Sequence, residues 1–470
     1  MRFVQSLILV TLISTTAMAD DKAGDAAKYW PAWRGPEMTG VSETANPPVE
    51  WSESKNIKWK VAIPGAGHAT PIIWKDRVYV LTAIRKEAAS QVMAPAGIDG
   101  DTFASMQPQE GRRPRDGRGP RGGGGRRGGR GGRAAPTEMY QFDVMALNRA
   151  DGSVAWRKTV TETIPHEAGH SDSTQASNSP VTDGEHIYAH FGSRGLYCLD
   201  MDGNVKWSAE FGKMRTRNGF GEGSSPALHG DTIVVNWDHE GDSFIVALDK
   251  RTGKEKWRKP RDEPTSWATP LIVEADGKAQ VVVNGTNFIR AYDLETGEVI
   301  WKCSGMTTNA IPTPVASHGV VIVMSGFRGA ALVAIRYGGA KGDITNTDRV
   351  LWSHDEETPY VPSPLLYGKY LYFTKNTRPL LTCFDAKAGK EAYTKQRLDG
   401  IDGIYGSPVG AKGRVYLAGR DGTTLVFKNG DTFEVLATNE LDDGFDASPA
   451  LAGKEIYLRG RKSLYCIAEK

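Results

Sequence analysis

Short apolar runs rich in Val, Ile and Tyr recur along the whole chain, bounded each time by Gly, Asp, Lys or Pro: DRVYVL from Asp76, then EHIYAHF, DTIVVNW, AQVVVNG, GVVIVMS, KYLYFTK, GRVYLAG and KEIYLRG. Continuous apolar runs of this length between turn residues predict strands buried on both faces. Long apolar stripes with a helical period are absent, so the pattern predicts an all-β chain.

The runs are the second strands of a larger repeat. Each follows a small residue and a proline: Pro71, Pro180, Pro226, Pro270, Pro314, Pro364, Pro408 and Pro449. From Pro180 onward these prolines stand 41 to 50 residues apart, the period of a propeller blade. Only the first gap, 109 residues, breaks the rule. A third strand then ends in Asp or Asn, a Gly turn follows, and a fourth strand carries an aromatic, as in ALNRADGSVAW, CLDMDGNVKW, ALDKRTGKEKW and AYDLETGEVIW. Tight hairpins need residues that tolerate positive φ, which explains the Asp and Gly.

Trp156, Trp207, Trp257, Trp301, Trp352 and Tyr393 fall at the same point of successive units. An aromatic that recurs once per blade lies on a ring around the axis, so its predicted role is a wedge between blades rather than a cofactor platform. The last unit, residues 448–467, lacks its aromatic strand, while NIKWKVAI with Trp59 lacks inner strands. The prediction is an all-β, eight-bladed β-propeller of four-stranded antiparallel blades, its ring closed by the N-terminal strand, which leaves no open sheet edge in the ring.

Met1 and Arg2, the apolar stretch Leu7 to Ile13 and Ala17-Met18-Ala19 have the order of a secretory signal peptide over residues 1–19. The mature chain, residues 20–470, is then expected to be one propeller domain, periplasmic or secreted. Asp20 stands where a lipid-anchored protein has Cys, and no segment is apolar enough for a transmembrane span. The four cysteines, Cys198, Cys303, Cys383 and Cys466, form no CxxC pair and no adjacent pair. Zinc ribbons and c-type haem attachment are thereby excluded, and buried free thiols are expected.

The long first gap holds an insertion at about residues 84–138, with nine Arg and one Asp between Gly111 and Arg133. Such a tract cannot bury a core and is expected to be disordered. A solvated loop or contact with an anionic surface fits it. No aromatics interleave the arginines, so specific nucleic-acid binding is not expected.

His166-Glu167-Ala168-Gly169-His170 matches the H-E-x-x-H pattern of zinc hydrolases. That chemistry needs a helix that puts both His on one face, and Pro165 and Gly169 oppose one. A polar loop and no metal site are expected.

In a propeller, the loops entering each inner strand and those following each second strand meet on one face around the channel. The entering loops supply Asn218, Glu222, Trp267, Asn309, Tyr360, Tyr405, Asp443 and Asp446; the others supply Asp238, His239, Glu240, Arg328, Lys375, Arg420 and Arg459. Mixed charges around one mouth either orient a polar or anionic ligand or pair with each other and with the loops.

The units AYDLETGEVIW and ALDKRTGKEKW are similar to the tryptophan-docking repeat of the PQQ-binding-like β-propellers, and the resemblance runs from Tyr29 to Lys470. This family includes quinoprotein alcohol dehydrogenase-like enzymes and BamB-like scaffolds. WPAWRGPEMTGVS also resembles the N-terminus of secreted members from planctomycete-type bacteria. By that resemblance, an active dehydrogenase would carry PQQ with calcium on a Glu/Asn/Asp set, an Asp base, an Arg and a vicinal disulfide. The vicinal cysteines are missing and no local motif matches the calcium set. No cofactor and no catalytic residue are therefore assigned. The expected function is an exported scaffold that binds a protein or polysaccharide on its loop-rich face. The alternatives are a PQQ- or metal-dependent oxidoreductase acting on alcohols or sugars, and a hydrolase or lyase of polysaccharides.

Overall fold

The computed structural model describes residues 25–86 and 135–469. The expected leader and residues 87–134 of the insertion lie outside the described residues. The described residues form eight sheets, antiparallel apart from two short additions. Blade 1 covers residues 72–163, blade 2 181–209, blade 3 227–260, blade 4 271–303, blade 5 315–354, blade 6 365–397 and blade 7 409–440. Blade 8 takes its three inner strands from residues 450–468 and its outer strand from Ile57–Ala62, with Trp59 opposite Cys466. The ring is therefore closed by the N-terminal strand. Two short parallel additions enlarge it: Gly342–Asp343 on the outer edge of blade 4 and Val41–Ser42 beside the inner strand of blade 7.

Burial follows the sequence pattern. Second strands such as Thr232–Trp237 are buried at every position, because neighbouring blades cover both of their faces. Outer strands such as Glu255–Pro260 are mostly exposed and bury their aromatic, here Trp257. The core is a series of interblade layers, for example Val234, Ile245 and Trp257 of blade 3 against Val281, Val283 and Tyr292 of blade 4.

The indoles also bond across blades. Trp59, Trp156, Trp207 and Trp257 each donate Nε1–H to a turn carbonyl of the next blade, of Arg149, Met201, Lys250 and Leu294, at 2.9 to 3.0 Å. Gly297, at φ 70° or above and facing Trp257, has no alternative: a Cβ there would lie 2.6 Å from the indole. Trp301 differs. Blade 5 lacks the tight turn, and Trp301 bonds instead to Gln280 Oε1 of its own blade at 3.2 Å. Trp352 packs on Gly389, and Tyr393 lies opposite Cys383 and against Phe433. All four cysteines are free and buried, and burial pushes the thiols of Cys198, Cys383 and Cys466 up to about 12.

Each of the eight prolines is preceded by Ser or Thr, and these hydroxyls form a ring around the axis. The backbone N–H groups of Thr70, Ser179, Ser225, Thr269, Thr313, Ser363 and Ser407 donate to the hydroxyl of the next blade at 2.9 to 3.1 Å. At the eighth junction the Thr70 hydroxyl donates to the Ser448 carbonyl at 3.2 Å. A single small hydroxyl per blade thus satisfies a backbone donor that no sheet ladder can reach.

The segment from Trp30 to Ser42 threads along the channel. Trp30 bridges Ile73 of blade 1, the Pro31 carbonyl accepts from Thr182 of blade 2, and Trp33 Nε1 donates to Ser448 Oγ at 3.3 Å. Arg34 is fully buried and donates to the Pro364 and Pro408 carbonyls at 2.8 and 3.0 Å. Its burial pulls the guanidinium down to about 9. No helix among the described residues is long and apolar enough to cross a membrane.

Candidate functional site

A cavity of about 350 Å³ opens at the mouth of the channel, where inner strands begin and second strands end. Trp33 and the hydroxyls of Ser179, Ser225, Ser407 and Ser448 line its depth. Phe220, Trp267, Phe327, Tyr360 and Tyr405 give it aromatic walls, and His68, His170, Asp172, Glu222 and Asp446 its ionisable groups. Phe327 and Tyr360 stack at 4.8 Å between centroids and 26° between planes.

One side of this mouth is cross-linked. Arg420, from blade 7, lies 4.0 Å over the Tyr405 ring and bonds Asp446 at 2.6 Å and Asp172 at 3.0 Å. Arg461 also holds Asp446, at 2.8 Å, and the Tyr405 hydroxyl donates to Asp172 at 3.0 Å. Asp172 belongs to the connection between blades 1 and 2, so this loop straps across the mouth to blade 7. Burial alone would raise the Asp446 carboxyl, but Arg461, His68 and Arg420 outweigh it and hold it below its usual value. Asp172 is likewise held low: burial opposes, and bonds from Arg420 and Tyr405 prevail. Burial and the nearby arginines lower His68, against the pull of Asp446. Glu222 is bound to Arg194 at 2.8 Å.

Of the residues proposed from sequence, Glu222, Trp267, Tyr360, Tyr405 and Asp446 line the cavity and Arg420 braces it. Asn309 stands behind Tyr360, its Nδ2 3.4 Å from the hydroxyl. Asn218 and Arg328 line an adjoining pocket. The rest serve the loops. Asp238 and Arg261 form a fully buried two-bonded pair at 2.7 and 3.0 Å, with Ser266 on the same carboxylate. His239 Nδ1 accepts from the Arg215 N–H, Glu240 from the Thr265 hydroxyl, and Lys375 pairs with Glu357 at 2.7 Å. Asp443 accepts from the N–H groups of Gly444 and Ser463 at 2.8 and 2.9 Å. Arg459 is buried near Asp443 with no hydrogen-bond partner for its guanidinium among the described residues, and burial lowers it to about 10.

Sequence reasoning missed Trp33, His68, His170, Asp172, Phe220 and Phe327. The Ser/Thr before every repeat proline was a usable signal for the floor; nothing local marked Asp172. The HEAGH residues form no helix: His166 Nε2 meets the Met214 carbonyl at 2.6 Å, Glu167 accepts from Thr216, and only His170 faces the cavity. Asp183, Glu185 and His186 cluster at the opposite end of blade 2, where Lys250 sits 3.0 Å from Asp183. PQQ with calcium is poorly matched too, because each cavity carboxylate is already bonded to arginine, a partner that a calcium ion would have to displace.

Comparison with known proteins agrees on the architecture. The family described as outer membrane protein assembly factor BamB matches residues 141–395 and 274–470. BamB of Francisella salina is 28% identical over 102 residues, which is 21% of this chain and 18% of that relative, well under two thirds of its length. A europium-containing methanol dehydrogenase superposes with a TM-score of 0.60 at 12% identity, over 94% of this chain and 92% of that one. The quinohemoprotein alcohol dehydrogenase of Comamonas testosteroni gives 0.59 at 12% identity, over 96% and 82%. At such identities these two likenesses carry the fold alone. Repeat, ring closure and family match together place the chain in the PQQ-like repeat family described as outer membrane protein assembly factor BamB.

Proposed function

We propose that this protein is a non-catalytic scaffold of the cell envelope that receives a protein or polymer partner on its loop-rich face. The observation that carries this reading is the paired state of the mouth: Asp172, Glu222 and Asp446 are all bonded to arginine. A general base works best with a pKa near the operating pH, whereas Asp172 and Asp446 are both held below their usual values. What remains accessible is an aromatic surface, the composition that anchors binding partners. Membership of a family described as an outer membrane protein assembly factor supports a protein partner and an envelope location.

Photo-crosslinking residues introduced at Phe327 and Tyr360 are expected to capture a discrete envelope partner, and one at Thr252, in an exposed turn at the other end of blade 3, to capture none. Equal yields at all three positions would count against the reading. So would oxidation of an alcohol or aldose that depends on added PQQ and calcium.

A further inference from the structure

The cavity does not stop at its aromatic wall. Phe327 also lines a second pocket, of about 220 Å³, whose other walls are Arg217, Asn218 and Arg328. No carboxylate lines this pocket. Among the described residues neither guanidinium has an ion pair or a hydrogen bond; Arg328 has only the Phe327 ring, at 5.4 Å. Asn218 and Arg328 adopt left-handed backbone at φ 55° and 51°, as does Asn309 behind Tyr360 at 59°. Non-glycine residues hold that conformation at a cost, and such positions cluster where a loop is shaped for a ligand.

We infer that cavity and pocket form one site for an acidic saccharide, its carboxylate on Arg217 and Arg328 and its ring on the Phe327–Tyr360 stack. Two guanidiniums without an ionic partner among the described residues, in a pocket that no carboxylate lines, are an anion site, and their fork geometry matches a carboxylate. Beyond the stack, the wall turns to the hydroxyls of Ser173, Ser177 and Ser407 and to Asp172. Those groups already bond within the chain, Asp172 to Arg420 and Tyr405 and the Ser407 hydroxyl to the Ser363 N–H, and they keep spare lone pairs that a ligand's hydroxyls can use. A pyranose presents an apolar face to the aromatics and a rim of hydroxyls to the rest. This site goes beyond the scaffold reading, since a protein docked on the same face does not require it.

The test is titration calorimetry of the full chain with trigalacturonate, trimannuronate and triglucuronate, beside neutral galactotriose and phenylacetate. At least one acidic trisaccharide is expected to bind saturably, more weakly as salt rises. The Arg217→Gln/Arg328→Gln double variant is expected to lose at least tenfold in affinity with an unchanged melting temperature, and Phe327→Ala to weaken the same ligand. No saturable binding of any uronate, equal binding of galactotriose, tighter binding of phenylacetate, or an unaffected double variant would each overturn the inference. None of these outcomes depends on the crosslinked partner, so the two readings fail separately.

Discussion

The two sides of the channel mouth carry similar residues and use them differently. On the side of blades 7, 8, 1 and 2, the cavity carboxylates are spent internally: Arg420 and Arg461 on Asp446, Arg420 again on Asp172, and Arg194 on Glu222, while the buried Arg459 of blade 8 lies outside the cavity lining. On the side of blades 3 and 5, Arg217 and Arg328 stand without ionic partners among the described residues, next to a bare aromatic stack. The first arrangement fixes the shape of the face, and the second is free, among the described residues, to take a ligand. Proximity to a channel therefore does not identify a binding residue; an unpaired charge beside an apolar surface is the better guide.

The unpaired side has its own buried pair beneath the loops, Asp238 with Arg261 of blade 3, and it is structural. Arg261→Met leaves Asp238 buried and unpaired, and is expected to cost about 3 to 5 kcal/mol in urea denaturation. A loss below about 1 kcal/mol would mean that the pair is not structural.

On the paired side, His190 makes stability depend on pH. It is fully buried there, its Nδ1 3.3 Å from Asn178 Nδ2 and 3.4 Å from the Ser224 carbonyl oxygen, and burial lowers its pKa to about 4. Unfolded, the ring titrates near 6.5. Between those values the unfolded chain binds more protons, so stability falls as pH drops from about 6.5 to 4, by about 3 kcal/mol in all. Asp446, held below its usual value, adds a loss in the same direction only at lower pH, as its carboxylate protonates. His190→Asn is expected to flatten the slope between pH 6.5 and 4 in melting curves, and an unchanged slope would assign it to other groups.

Asp172→Asn should do least. It weakens two partly exposed bonds of the strap at a cost of about 1 kcal/mol, and hydrogen exchange should quicken in residues 166–176 without changing elsewhere. Exchange that quickens across all blades would make the strap part of the global fold.

The fold was legible because its period is written in local chemistry: a proline opening each inner strand, a glycine turn, and an aromatic on the outer strand. The unmatched strand around Trp59 even indicated how the ring closes. Half of the site was legible for the same reason, since Glu222, Trp267, Tyr360 and Tyr405 occupy loop positions counted from the repeat prolines. The rest depended on contacts the repeat does not encode. Asp172 reaches Arg420 across the mouth, and Trp33 reaches Ser448 through the channel, each from a segment outside the blades. Nor does a sequence separate the buried Asp238 from the free Arg328, because the partner of Asp238 is Arg261, beyond the third and fourth strands of its blade.

One preparation tests the distinction between the two sides directly: the Arg217→Gln/Arg328→Gln chain, measured for melting temperature and for affinity toward the best-bound acidic trisaccharide. Its melting temperature is expected to equal that of the parent, as for surface changes within about 0.5 kcal/mol, with affinity lower by at least tenfold. A lowered melting temperature with affinity retained would show that these arginines are structural after all, and would contradict that distinction.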